Sequence, residues 1–300
     1  MFKTSTFCTE QFDYQLLDSG RERKLERLGS DFVVIRPAPQ AIWPPYLQEK
    51  EWKKADAEFR HVKGKSYGGQ WIYYQKPPEK GWVTRFFELT FQLHLTDFGH
   101  IGLFPEQAEN WAWLDKTTSR FEDINLLNVF GYTGASTLIS TLRGAKVTHV
   151  DASKPTVAWA RENQKLSGLV GYPVRWIVDD AIKFLKREER RGNRYNAVVM
   201  DPPSFGRGPK GEVWKIETDF PKLLELCRKI LIPQPAFFLV TTHSPGFSAI
   251  TLENLLRTYL VDTDAQSVES GEMVVRDETS KIHLPNGFYS RWRNGVVEKA

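Results

Sequence analysis

Apolar positions along the 300-residue chain fall into two regimes. Through about Gly99 they come in short runs, Phe32–Arg36, Gln70–Gln75 and Phe86–Leu95. Proline breaks separate these runs at Pro37-Ala38-Pro39, Pro44-Pro45 and Pro77-Pro78. Phe91 to Leu95 alternates apolar and polar residues, the signature of a strand with one buried face. This stretch predicts a small, β-rich amino-terminal domain over residues 1–99.

From about Phe104 the period lengthens. Pro105–Leu114 reads as a helix with proline in its first turn. Short apolar runs then alternate with amphipathic helices. Leu126–Phe130 is followed by Ala135–Arg143, and Lys146–Asp151 by Pro155–Leu166, which Gly168 closes. Val174–Val178 precedes Ala181–Arg191, Ala197–Met200 precedes Phe220–Ile232, and Ala236–Thr242 precedes Ala249–Leu260. Alternation at this spacing predicts βαβ units over 100–300, forming a doubly wound, mainly parallel α/β sheet covered on both faces. Pro285-Asn286-Gly287 ahead of Phe288–Trp292 carries a turn signal and predicts a terminal antiparallel hairpin.

Composition narrows the class. Hydrophobic residues at 41% and charged residues at 26% exclude wholesale disorder. The longest apolar runs, such as Ala236–Val240, are too short to cross a bilayer. The first twenty residues lack the apolar core of a secretory signal, which points to the cytoplasm. Cys8 and Cys227 are the only cysteines, so neither a disulfide framework nor a cysteine-rich zinc site is expected. A net charge of +4 is compatible with a nucleic-acid partner without requiring one.

The candidate chemistry sits where apolar runs end. The first run of the second regime leads into Phe130-Gly131-Tyr132-Thr133-Gly134, two glycines at a strand-to-helix turn. Glycine suits such a turn where a Cβ would block a ligand or where φ is positive. The spacing is not the G-x-G-x-x-G of dinucleotide folds. The next run ends in Asp151-Ala152-Ser153, a carboxylate placed to accept both hydroxyls of a ribose. The third ends in Asp179-Asp180-Ala181, where Asp180 can accept an exocyclic amine of adenine and Ala181 leaves room for the ring. For each acid the plainer reading is an N-cap of the next helix.

The fourth run enters Asp201-Pro202-Pro203-Ser204-Phe205. Two residues without N–H groups cannot continue a ladder, so they make a rigid elbow. The elbow aims the Asp201 carboxylate and the Pro202 carbonyl, both acceptors, at a donor such as a nucleobase amine, and Phe205 can stack on a planar ring. The plainer reading is a proline-stiffened loop with Asp201 as a helix cap. Gly206–Trp214 reads either as a substrate loop touching phosphates through its cations or as an ordinary solvated loop.

The run from Asn128 to Phe205 resembles class I S-adenosylmethionine-dependent methyltransferases. More narrowly, Phe130–Gly134, Val150–Ser153, Asp180-Ala181 and Asp201–Phe205 are similar to the bacterial family of ribosomal-RNA large-subunit base methyltransferases. The similarity spans roughly Phe104 to the carboxyl terminus. It implies a seven-stranded Rossmann-like methyltransferase sheet with the last strand inserted antiparallel. It implies S-adenosyl-L-methionine held by Phe130, Gly131, Tyr132, Thr133, Gly134, Asp151, Ala152, Ser153, Asp180 and Ala181. It also implies a catalytic set of Asp201, Pro202, Pro203 and Phe205, an RNA partner, ribosomal RNA first, and neither metal nor membrane. Gly102–Gln107 resembles the element that family carries ahead of the first strand, with Glu106-Gln107 where the pattern has Asp-Gln.

One departure bears on the acceptor. Cytosine-C5 members of that family carry a nucleophilic cysteine just after the fifth strand. The matching stretch here, Val240–Gly246, has none, and Cys227 falls on the apolar face of a helix. Alkylating a pyrimidine C5 requires covalent addition at C6. A nitrogen acceptor is therefore expected. His243 in that stretch is either a proton acceptor or a locally bonded turn residue, and His149, inside a strand, reads as core.

Residues 1–99 read as a substrate-recruiting module. Arg21, Arg23, Lys24, Arg27, Lys53, Lys54, Lys63 and Lys65 stand among Trp43, Trp52 and Trp71. Interspersed acids leave a solvated mixed-charge surface as the alternative. Three other readings stay open from the residues: a methyltransferase acting on a protein side chain or small molecule, a nicotinamide-dependent oxidoreductase, and a cofactor-binding protein without catalysis.

Overall fold

The structure, a computed structural model, describes residues 12–29, 31–62, 68–77, 82–208, 210–261, 268–277 and 280–295. Cys8, Lys63 and Lys65 lie outside them. The described chain forms two compact units. One holds the described residues of Ser5–Ala108 together with Val274–Asn286, and the other holds Glu109–Met273 with the chain from Gly287.

The first unit carries β1 (Tyr14–Gly20), β2 (Arg23–Leu28), β3 (Phe32–Pro37), the one-turn helix α1 (Glu49–Trp52), β4 (Ala57–His61) and β5 (Gly69–Tyr73). These strands lie in sequence order in one sheet. Every pairing is antiparallel except β3–β4, which is parallel. β6 (Trp82–Phe86) and β7 (Leu89–Leu93) form a separate hairpin that turns at Phe87, whose φ is +51°. The single run Phe86–Leu95 is thus broken by a left-handed residue.

Two buried carboxylates organise this unit. Asp18 accepts N–H groups from Ser19, Tyr46, Leu47 and the Trp52 indole at 2.8–3.1 Å, pinning the long β3–β4 connection. Glu26 takes both Arg36 Nε (2.7 Å) and Nη2 (2.9 Å), Lys24 Nζ (2.9 Å) and the Tyr14 hydroxyl (3.0 Å). Lys24 and Trp52, read from the sequence as part of a recruiting surface, are 7% and 1% exposed. Both are turned inward to these carboxylates.

In the second unit α2 (Ala108–Thr118) follows a 3₁₀ turn at Pro105–Gln107, so the expected Pro105 helix begins as a tighter turn. Then come β8 (Asn125–Val129), α3 (Ala135–Leu142), β9 (Lys146–Asp151), α4 (Lys154–Leu166), β10 (Val174–Val178), α5 (Ala181–Arg191) and β11 (Ala197–Met200). They are followed by β12 (Phe205–Arg207), β13 (Val213–Lys215), α6 (Ile216–Ile230), β14 (Phe237–Thr242), α7 (Ala249–Tyr259), β15 (Glu269–Arg276) and β16 (His283–Arg293), the end of β15 and the start of β16 belonging to the first unit.

The seven-stranded sheet has the order β10-β9-β8-β11-β14-β16-β15. Its first five strands are parallel, and β16 is antiparallel to β14. Period-two alternation decides the faces. Leu127, Val129, Val198, Met200, Phe238 and Val240 share one core with Phe184 of α5, Phe220 and Leu223 of α6, and Leu252 of α7. The alternate positions turn to the other face, where Asn128 bonds Thr137 of α3 and Phe237 meets Trp113 of α2 edge-on at 5.8 Å. Covering both faces explains why the strands read as unbroken apolar runs.

Three expectations change. Pro285-Asn286-Gly287 is no hairpin turn but lies inside β16. β14 is in register only with Phe288–Arg293, so Pro285 deprives that pairing of no donor. Gly287, at φ +102°, lies against the Thr242 carbonyl, where a Cβ would come within 2.6 Å. α6 begins at Ile216 rather than Phe220, which leaves Pro221 inside it at the cost of one helical N–H. Gly206–Trp214 lies largely within a hairpin, β12 against β13, rather than an open loop. Among the described residues, no helix is long and apolar enough to cross a membrane.

Candidate active site

Because β10, β9, β8, β11 and β14 are adjacent and parallel, their carboxyl ends share one rim. Backbone bonds tie the tips together. Asp179 N–H donates to the Asp151 carbonyl (3.1 Å), Gly131 N–H to Val150 (3.1 Å) and Asp201 N–H to Val129 (3.4 Å). Asp180, Asp151, the Phe130–Gly134 loop, Asp201 and His243 therefore stand on neighbouring strand ends, where open α/β sheets bind ligands.

The loop is strained. Phe130 (φ +57°), Tyr132 (φ +50°) and Gly134 (φ +91°) are all left-handed, and two of them carry side chains. Gly131 is required for a different reason than a ligand's approach. A Cβ there would sit 2.4–2.5 Å from the His149 ring beneath it. His149 is fully buried, and burial pushes its pKa down to about 3, so the ring is neutral. Its Nδ1 lies 2.9 Å from the Thr137 hydroxyl, which already accepts from Asn128 Nδ2 at 2.8 Å. Gly131→Ala is expected to destabilise the protein by about 1–3 kcal/mol through overpacking. Combining it with His149→Ala should cost less than the sum of the two single changes in denaturant unfolding; strict additivity would disprove the contact.

Asp151 spends one lone pair per oxygen inside the protein. Tyr132 N–H donates to Oδ2 (3.0 Å) and Ser153 N–H to Oδ1 (2.9 Å). Burial raises its pKa, and the two N–H groups work against that rise. Each oxygen keeps a second acceptor site, so the pair fits the donated protons of a ribose's vicinal hydroxyls. Ser153 is the N-cap of α4, accepting Thr156 N–H, and Asp180 is the N-cap of α5, accepting Lys183 N–H at 2.9 Å. The plainer reading thus describes one oxygen of Asp180. Ala181 opens α5 and is 6% exposed, Ala152 is half-buried, and Thr133 is buried with its carbonyl accepting from Asn163 (2.9 Å).

At the elbow Asp201 caps no helix. Its Oδ1 lies 3.6 Å from His243 Nδ1 on the β14 tip. Pro202 is buried, and its carbonyl, expected to face the cleft, receives the Thr242 hydroxyl at 3.3 Å. That bond takes one of the carbonyl's two lone pairs. Pro203 is exposed, and its carbonyl accepts the Trp214 indole N–H at 2.6 Å. Phe205, 44% exposed, opens β12 with the Arg207 guanidinium 5.9 Å from its ring centre.

Sequence reasoning missed the clamp around this elbow. Trp214 bonds Pro203 and packs on Phe130 at 4.9 Å, linking elbow to glycine loop. Ser204 Oγ bonds Ser244 Oγ at 2.9 Å, and Thr242 Oγ1 reaches that same Ser244 Oγ at 3.0 Å. The available signal was a cluster of hydroxyls, Thr241, Thr242 and Ser244, ending a strand that is otherwise apolar. Cys227 is fully buried in α6, and burial pushes its thiol up to about 12. Among the described residues, no group of three or more His, Cys, Asp or Glu side chains is placed to hold a metal.

No protein-family model matches the sequence. The chain is 32% identical over 260 residues to Ribosomal RNA large subunit methyltransferase K/L of Pseudoalteromonas atlantica, covering 85% of this chain and 31% of that protein. It spans less than a third of the curated relatives it matches. Among solved structures, the SAM-dependent methyltransferase from Agrobacterium tumefaciens is 39% identical with a TM-score of 0.87, covering 94% of this chain and 90% of that one. The Pyrococcus abyssi tRNA (uracil-54, C5)-methyltransferase, 12% identical with a TM-score of 0.50 over 90% of this chain and 59% of that one, shares the fold alone. Identity and coverage of the Agrobacterium structure, together with the shared rim of strand tips, place the chain in the S-adenosylmethionine-dependent methyltransferases.

Proposed function

We propose that this protein methylates a nitrogen of an RNA nucleobase, with large-subunit ribosomal RNA as the acceptor, and that it does so in the cytoplasm. The observation that carries the reading is the clamped Asp201–Phe205 elbow beside the glycine loop. It offers a carboxylate and an exposed ring where a flat amine donor would enter, with no thiol at the tip. The name of the curated relatives supports ribosomal RNA.

S-adenosyl-L-methionine supplies an electrophilic methyl on a sulfonium when bound. Its ribose falls to Asp151, its adenine to the Asp180-Ala181 tip, and the rest of it to the backbone of Phe130–Gly134 with Ala152 and Ser153. Asp201, with the remaining lone pair of the Pro202 carbonyl, holds the acceptor amine and turns its lone pair toward the methyl. Pro203 and Phe205 set the elbow and the stacking plane. In-line displacement needs alignment at roughly 3–3.5 Å more than it needs a strong base. The alkylated nitrogen then sheds a proton, for which the Asp201 carboxylate is the adjacent acceptor. The β-rich domain over residues 1–99 recruits the RNA.

Nucleosides from ribosomal RNA of cells with and without the gene, compared by mass spectrometry, test this. Loss of one N-methylated nucleoside is expected; an unchanged profile, or loss of a C5-methylated pyrimidine, would overturn the reading. Turnover should also survive Cys227→Ala and Cys8→Ala within about twofold, because no step needs a thiolate.

A further inference from the structure

We infer that the protein has a second binding site, for a phosphate ester, on the opposite rim of the sheet. A groove of about 450 Å³ opens at the amino ends of β8, β9 and β10. It is lined by Lys146, Arg175 and Arg194 together with Tyr195, the uncharged polar residues Asn125, Thr148 and Asn193, and the strand starts at Val147 and Val174. No carboxylate lines it.

The charge balance decides what it attracts. Glu188 lies fully buried nearby and is already saturated. It accepts Arg175 at 2.7 and 3.1 Å, the Tyr195 hydroxyl at 2.7 Å, Asn193 Nδ2 at 2.9 Å and Arg191 at 3.3 Å. Burial pushes that carboxyl up, and these donors outweigh it, holding it at about 2. Glu188 therefore stays ionised, cancels Arg175 and fixes its guanidinium in the wall. Lys146 and Arg194 have no ion pair among the described residues, and Arg194 reaches only the neighbouring Asn193 carbonyl at 3.1 Å. Two uncompensated cations thus border a groove with uncharged polar groups and the Tyr195 side chain, in a space of mononucleotide size. That combination fits a phosphate joined to a flat or sugar-like body. The ligand is a free nucleotide or a stretch of RNA backbone, since both offer the same group. The site stands on the rim away from Asp151 and Asp201 and does not require the methyl acceptor to be RNA.

Equilibrium dialysis with AMP and adenosine tests it, with the cofactor site first saturated by S-adenosylhomocysteine so that adenine cannot bind there. A free-nucleotide site predicts that AMP binds at least about tenfold tighter than adenosine, and that Lys146→Gln/Arg194→Gln removes this preference. An RNA-backbone site instead predicts no AMP binding. A short unstructured oligoribonucleotide would then lose affinity in the double variant, with its log–log salt slope falling by about 1.4. S-adenosylhomocysteine affinity should not change, and each single variant repeats the measurement if the double one folds poorly. AMP and oligonucleotide binding both indifferent to these two residues would overturn the inference, whatever the methylation assays show.

Discussion

Replacing Asp201 with alanine is expected to lower kcat for methyl transfer by about a hundredfold or more while leaving S-adenosylmethionine affinity within about twofold. The asymmetry follows from where the residue stands. Asp201 follows β11 directly, and its Oδ1 lies 3.6 Å from His243 Nδ1 on the neighbouring β14 tip. Asp151, the proposed ribose acceptor, sits two strands away with its own bonds to Tyr132 and Ser153. On the proposed mechanism, losing Asp201 removes the acceptor that orients the incoming amine, and misplacing the amine by an ångström has a large effect on an in-line displacement. Asp201→Asn keeps one carbonyl acceptor and should recover part of the rate. Transfer of tritiated methyl to RNA measures the rate, and isothermal titration measures cofactor affinity. Full turnover in the alanine variant would remove Asp201 from the mechanism.

A loss of about 3 kcal/mol or more in folding stability at neutral pH is expected for Glu26→Gln, because Arg36 and Lys24 would stay buried without their counter-charge. The pH dependence has a definite sign. Burial alone pushes the Glu26 carboxyl up, but the charges of Arg36 and Lys24 outweigh it and hold it at about 2, against an ordinary 4.5. A carboxyl lowered in the folded state contributes stability that is complete above 4.5 and is lost as pH falls toward 2. The difference of roughly 2.5 pH units corresponds to about 3 kcal/mol. Urea unfolding of wild type and Glu26→Gln at pH 7, 4 and 3 should show the gap between them narrowing with acid. A gap that stays constant would mean that Glu26 acts through shape and not through charge.

The strand tips were legible because each tip follows an apolar run that only a sheet covered on both faces produces. Asp201-Pro202-Pro203 was legible because two missing N–H groups forbid any continuation of the ladder. What escaped was contact between residues distant in sequence. The bonds from Thr242 to Pro202 and from Trp214 to Pro203 span 40 and 11 positions, and no local pattern announces them. In the amino-terminal unit the failure has another cause. Lys24 and Glu26 alternate on β2 as surface charges would, and Arg36 stands opposite Lys24 on β3. Charge by itself reads as outward, yet this set is mutually neutralising and points inward. The parallel β3–β4 pairing likewise depends on Asp18 gathering four donors, which hydrophobic periodicity does not record.

The depth of Cys227 gives the molecule an internal clock. Its sulfur is sealed under α6 beside Phe220, Leu223 and Ile230, so a disulfide reagent reaches it only when that layer lifts from the sheet. With Cys8 replaced by serine and reagent concentrated enough to trap each opening before it closes, the labelling rate counts openings of the methyltransferase core one by one. Any ligand that grips the rim then announces itself by slowing the count.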